Sequence, residues 1–175
     1  MIRERVKYAL GAFALGCLVA LVFFSPIVRA DSPPNAQQVQ FAQRAADLMQ
    51  ATLFAALLQE FAETTPANVE EGKKSISLIF NDRNDDMRLV GVLHPLRSSD
   101  VPQDPFEATA LGQAMQGQNL TAVEKVEGKW FYRRSIALSN FHPACSMCHA
   151  NFGPVDASQW VGALMLRVPV EDDKK

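Results

Sequence analysis

The chain has 175 residues, 48% of them hydrophobic and 21% charged, with 10 Pro and 9 Gly. These are globular values, and they exclude collagen, coiled coil and wholesale disorder. A formal charge of −2 argues against a nucleic-acid partner, which wants a basic face, and three cysteines are too few for a disulfide scaffold.

Residues 8–24 carry no charge and follow Arg3, Arg5 and Lys7. Val28 and Ala30 fill the −3 and −1 sites of a secretory signal, so cleavage is expected after Ala30. The alternative is an uncleaved membrane anchor over residues 8–28. Such a span sits at the short end of what crosses a bilayer, and its basic flank stays cytoplasmic either way. Both readings export the rest of the chain, to a periplasm or its equivalent, and confine any membrane contact to this segment. Cys17 follows Gly16, but Ala14 stands where a lipobox wants Leu, so Cys17 belongs to the apolar run. Residues 1–30 hold four of the 17 Lys and Arg and one of the 19 Asp and Glu. The remainder therefore has 13 basic and 18 acidic residues, a net charge of −5. Such a domain is a poor partner for anionic lipid or nucleic acid.

From Ser32 the sequence reads as a long helix, with Ser32 as N-cap and Pro33 in the first helical position. Val39, Phe41, Ala42, Ala45, Leu48, Met49, Leu53, Phe54, Leu57, Leu58 and Phe61 recur at three- and four-residue steps. Thr64-Thr65-Pro66 stops this helix and starts another, capped by Thr65 and interrupted at Gly72. Residues 81–86 are polar and predict a turn; they lack the spacing and the closing Glu of a calcium-binding EF-hand. Residues 87–93 predict a strand leading to His94-Pro95. Asp104, Pro105 and Glu107 form the cap, first position and capping box of a short helix ending near Gly117. Residues 120–126 and 129–138 predict a hairpin about Glu127-Gly128. Residues 161–170 predict a last strand, and 171–175 a loose tail. Helices followed by grouped strands indicate an α+β domain over residues 31–170, with an antiparallel sheet and N-terminal helices.

Between the hairpin and the last strand lies Cys145-Ser146-Met147-Cys148-His149. This C-x-x-C-H spacing is the attachment signature of haem c. Two intervening residues let each thiol reach one vinyl group on the same edge of the ring. The adjoining His149 then supplies an axial nitrogen to the iron. A thioredoxin-like redox pair is the rival reading, but that motif opens a helix after an early strand. A zinc half-site needs two more ligands, and His94 and His142 are oddly spaced for it. A disulfide between Cys145 and Cys148 closes a strained ring. One motif means one covalently attached haem.

The stretch Met87-Arg88-Leu89-Val90-Gly91, then His94-Pro95-Leu96-Arg97, Val101-Pro102 and Pro105-Phe106-Glu107, followed by a hairpin and a late C-x-x-C-H, resembles the DUF3365 (Tll0287-like) haem c domains. The likeness covers most of residues 36–170. It implies an exported protein with a PAS-like sheet and a single haem serving redox chemistry or sensing. In some members a cysteine of the N-terminal helical region is the second axial ligand. This chain has no cysteine between Ala30 and Cys145, so that ligation does not carry over. The candidates for the second axial position are Met49, on the apolar face of the first helix, then Met87, Met115, Met165, His94 and His142, or no residue. Met147 lies inside the motif and cannot reach the opposite face of the ring. Trp130, Phe131, Tyr132 and Phe141 are candidate haem walls, and Arg133, Arg134 and Arg97 candidate partners of a haem propionate.

The expected function is an exported monohaem c-type cytochrome that transfers electrons to or from a redox partner protein. The alternative is a redox- or gas-sensing haem domain acting through a separate partner. An enzyme needs an open iron with distal acid–base groups, and His94 and His142 alone are available. Catalysis is therefore not expected.

Overall fold

A computed structural model describes residues 32–83, 85–91 and 100–170. The N-terminal apolar segment with Cys17, the residues His94 and Arg97, and the tail at 171–175 lie outside these residues. The first helix, α1 (Ala36–Glu60), begins later than the sequence pattern suggests. Its cap is Asn35, whose side chain accepts from the Gln38 N–H at 2.9 Å while the Gln38 side chain accepts from the Asn35 N–H at 2.7 Å. This reciprocal box satisfies two backbone donors at once, which Ser32 followed by two prolines cannot match. The second helix, α2 (Pro66–Asp82), starts at the Thr65 cap and runs unbroken through Gly72. That glycine lies against α1: a Cβ there would sit 2.9 Å from the Phe61 ring and 3.0 Å from the Glu60 carbonyl oxygen. Gly72 thus marks a close helix crossing and not the interruption its residue type suggests.

Strand β1 (Met87–Gly91) follows, then α3 (Pro105–Ala114), capped by Asp104 as expected. Strands β2 (Thr121–Val126) and β3 (Lys129–Asn140) make the hairpin. A short helix, α4 (Pro143–Cys148), holds the cysteine motif where a loop is expected from sequence. A 3-10 turn (Ala150–Phe152) and the long strand β4 (Asp156–Pro169) complete the order. The sheet is antiparallel, in the order β1-β4-β3-β2. Its architecture is α+β, four strands with helices on both faces. No described helix is long and apolar enough to cross a membrane.

Strand alternation sorts the core into two. On one face Tyr132 and Ile136 of β3 and Leu164, Leu166 and Val168 of β4 meet Ala42, Ala46 and Leu53 of α1 and Ile76 and Phe80 of α2. On the other, Val90, Ala163 and Met165 meet Phe106, Ala110, Leu111 and Ala114. Beneath α3 lies a buried charge cluster. Arg133 contacts Asp104 at 2.8 Å, Glu124 at 2.6 Å and Glu107 at 3.9 Å, and Arg88 contacts Glu107 at 3.2 Å. The Arg133 guanidinium also lies over the Phe106 ring, 4.3 Å from its centre.

The hairpin turn puts Glu127 at φ 51° and Gly128 at φ 83°. Two consecutive left-handed residues make the primed turn whose twist suits a two-residue hairpin. Glycine adopts this freely, whereas glutamate is strained there and Asn tolerates it. Glu127→Asn is therefore expected to raise stability by about 1 kcal/mol, read as a higher midpoint in urea. An unchanged or lower midpoint would show that the turn stores no strain at Glu127.

Candidate functional site

One end of the α1–α2 layer stands off the sheet and leaves a cavity of about 440 Å³, within the size range of small-molecule and cofactor sites. Its walls are mostly apolar. Phe54 and Leu57 come from α1 and Phe61 from its C-cap, Ile76 and Phe80 from α2, and Leu89, Leu138 and Val161 from the strands. Cys145, Cys148 and His149 form part of the same wall. Gly162 also lines it. A Cβ there would lie 2.5 Å from the Val90 carbonyl oxygen, so this position keeps β1 and β4 in contact beside the cavity.

Local sequence explains how the motif is held. His142 caps α4, its Nδ1 accepting from the Ala144 N–H at 3.3 Å, and Pro143 occupies the first turn. The His149 N–H donates to the Cys145 carbonyl at 2.8 Å, closing the helix. Residues three apart on a helix share a face, so both thiols reach one wall of the cavity. Neither is in a disulfide. Burial pushes the Cys145 thiol above its usual range. Burial also pulls His149 down, against the opposing charge of Asp100. The imidazole is thus favoured in its neutral form, the one that ligates metal. Its ring stacks on Phe152, with centres 4.4 Å apart and planes 3° apart. His149 Nδ1 is buried without a hydrogen-bond partner among the described residues.

These residues fit a covalently attached haem. Two free thiols share a helical face, the His149 imidazole lies beside them, and the adjoining cavity is apolar. Among the described residues no cluster of three or more His, Cys, Asp or Glu side chains has the makings of a metal site. The motif therefore has no partner ligands for zinc in that part of the chain.

The other candidates fall elsewhere. Met49 and Met87 pack against the larger core, while Met165 is buried in the smaller one with Met115 against it. None of these four methionines is among the cavity-lining residues. Met147 is exposed. His142 does line the cavity, but its Nδ1 is engaged as the helix cap. Phe141 lines the cavity, whereas Tyr132 and Trp130 belong to the larger core. Arg133 is buried against the carboxylates under α3, and Arg134 pairs with Asp47 at 2.5 Å and with the Tyr132 hydroxyl. Neither lines the cavity, so neither is placed to meet a carboxylate held there. Sequence reading missed Lys73, Ser77, Asp100 and Ser139, the polar wall residues. On α2 the spacing of Lys73, Ser77 and Phe80 to one face was the available signal.

No family model and no curated protein matches this chain.

Proposed function

We propose that the protein is an exported monohaem c-type cytochrome whose main duty is electron transfer, built on a PAS-like α+β frame. The observation that carries this reading is the placement of both free thiols and the His149 imidazole on one wall of an apolar cavity. Cys145 and Cys148 would hold the haem by thioether bonds, and His149 would supply an axial nitrogen. Bound there, the haem supplies an iron that cycles between ferric and ferrous states. The chain's own part is to fix the attachment edge on α4 and to exclude water with Phe54, Leu57, Phe61, Ile76 and Phe80. A mostly apolar surround would limit solvent access and so tune the potential. Both the secretory signature and the haem motif support an exported location. A net charge of −5 beyond residue 30 suits a redox partner with a basic face.

A second reading, a redox- or gas-sensing domain acting through a separate partner, is favoured by one observation. Met49, Met87, Met115 and Met165 all lie away from the cavity-lining set, which favours a haem that would take no methionine ligand from the described residues. Visible spectra of the exported protein, oxidised and reduced, with and without carbon monoxide, separate the two. The electron-carrier reading expects a low-spin spectrum that carbon monoxide leaves unchanged. Rapid carbon monoxide binding to a high-spin ferrous haem would replace it with the sensor reading. Absence of any haem spectrum would sink both.

A further inference from the structure

We propose that Asn140 is a positioning residue that sets the plane of the His149 imidazole through Phe152. The inference rests on the reading of His149 as an axial ligand. Asn140 is the last residue of β3 and fully buried, at 0% exposure. The β3–β4 register shifts at Leu138/Ser139 and again at Ser139/Asn140. Such bulges re-aim side chains, and here the re-aimed side chain is an amide placed among backbone carbonyls. Its Nδ2 donates to the Pro154 carbonyl at 2.8 Å, to Gln159 Oε1 at 3.1 Å and to the Phe152 carbonyl at 3.4 Å. Its Oδ1 accepts from the Ser146 hydroxyl at 3.4 Å. Ser146, between the two cysteines, also donates to the Gly153 carbonyl. One side chain thus ties the end of β3 to the motif helix, to the segment after it and to β4.

That segment carries Phe152, whose ring lies parallel to His149. Metal-binding histidines ordinarily have the ring oriented by a hydrogen bond from the second nitrogen to a carboxylate or carbonyl. Here His149 Nδ1 is buried with no such partner among the described residues. Stacking on Phe152 takes over the orienting duty, and Asn140 holds the backbone from which Phe152 projects. The residue type is dictated by its neighbours. Three acceptor oxygens converge on Nδ2, so a donor is required there. An aspartate would turn a carboxylate toward them, and a serine would be too short to reach all three.

The plane of an axial imidazole shows in the g values of the oxidised haem and in its potential. These are readouts that lost stability alone does not move. The experiment compares the exported full-length protein with Asn140→Ser and Gln159→Ala by electron paramagnetic resonance, redox titration and thermal melting. Arg133→Met is the control, because it weakens the fold through the opposite face of the sheet. Asn140→Ser is expected to shift the g values and the potential. Gln159→Ala, which removes one anchoring oxygen, should give a smaller shift of the same sign and decides the matter if Asn140→Ser does not fold. Arg133→Met should melt earlier with wild-type g values. Wild-type g values and potential in both Asn140→Ser and Gln159→Ala would overturn the proposal. If the wild-type protein carries no covalent haem, it is the functional reading that falls. The proton shifts of the His149 ring, displaced by the Phe152 ring current, then judge Asn140 in the same set of variants. Shifts unchanged from wild type would reject its role, and shifts moved toward those of a free imidazole would support it.

Discussion

Replacing both Cys145 and Cys148 by serine is expected to abolish covalently held haem completely. Acid–acetone treatment should then strip all colour from the protein, whereas it leaves the wild-type precipitate red. Each thioether joins one thiol to one vinyl group, so the single variants make a graded series. Cys145→Ser or Cys148→Ser alone keeps one bond and one free vinyl, and that conjugated vinyl moves the reduced absorption band to longer wavelength. His149 remains in each of these variants, so loss of attachment is separated from loss of the axial nitrogen. Colour retained by the double variant after extraction would defeat the haem c assignment, because the described residues contain no other cysteine.

Arg133→Met should cost about 3–5 kcal/mol, the range for breaking a buried ion pair by deleting one partner. Arg133 is only 4% exposed and faces Asp104, Glu124 and Glu107. Methionine fills much of the volume but leaves three carboxylates gathered near Arg88 alone. The transition midpoint in urea should fall accordingly, with the haem spectrum unchanged, since the cluster lies across the sheet from the cavity. A loss below 1 kcal/mol would show that water reaches the cluster and screens it. The same cluster sets an acid limit. Burial of Asp104 opposes its ionisation most strongly, but the Glu107 N–H and the Arg133 guanidinium outweigh burial and hold its carboxyl below 3.8. A depressed carboxylate stabilises the fold above its unfolded value, and that contribution is lost as pH falls through the lower folded value. Wild type should therefore lose stability below about pH 4 more steeply than Asp104→Asn.

The fold was legible where local chemistry is self-contained. Thr65-Pro66 and Asp104-Pro105 carry cap and first turn in adjacent residues, and both helices start where that chemistry places them. Glu127-Gly128, a weak turn pair by composition, closes the hairpin in the expected register. Ser32 misled because Asn35 is an equally good cap and Gln38 supplies the reciprocal bond. The motif reads as a loop unless His142 and Pro143 are weighed as cap and first position, which then gives α4. The three residues of C-x-x-C-H, singled out by spacing alone, lie together on the cavity wall. The wall around them was not legible. Met49 shares the apolar side of α1 with Phe54, but periodicity carries no information on where along the helix the cavity begins. Five residues separate the two, about 7.5 Å of rise and about 140° of turn, and only Phe54 lines the cavity. Asn140 gave no signal, because its meaning lies in carbonyl groups contributed by Phe152 and Pro154.

The cavity draws its walls from both ends of the described chain. Phe54 stands near the end of α1, the first helix, and Phe61 caps it, whereas Val161 and Ala163 come from the last strand. The attachment residues, by contrast, lie within one short helix and the residue after it. Coupling of the two thiols therefore needs only a local stretch of chain, accessible before the remainder has folded. Closing the pocket requires contacts of large sequence separation, which form slowly. On the haem c reading proposed above, the pigment would be fixed first on an open chain, with α1 and α2 closing over it last. The prosthetic group would then take part in building its own enclosure.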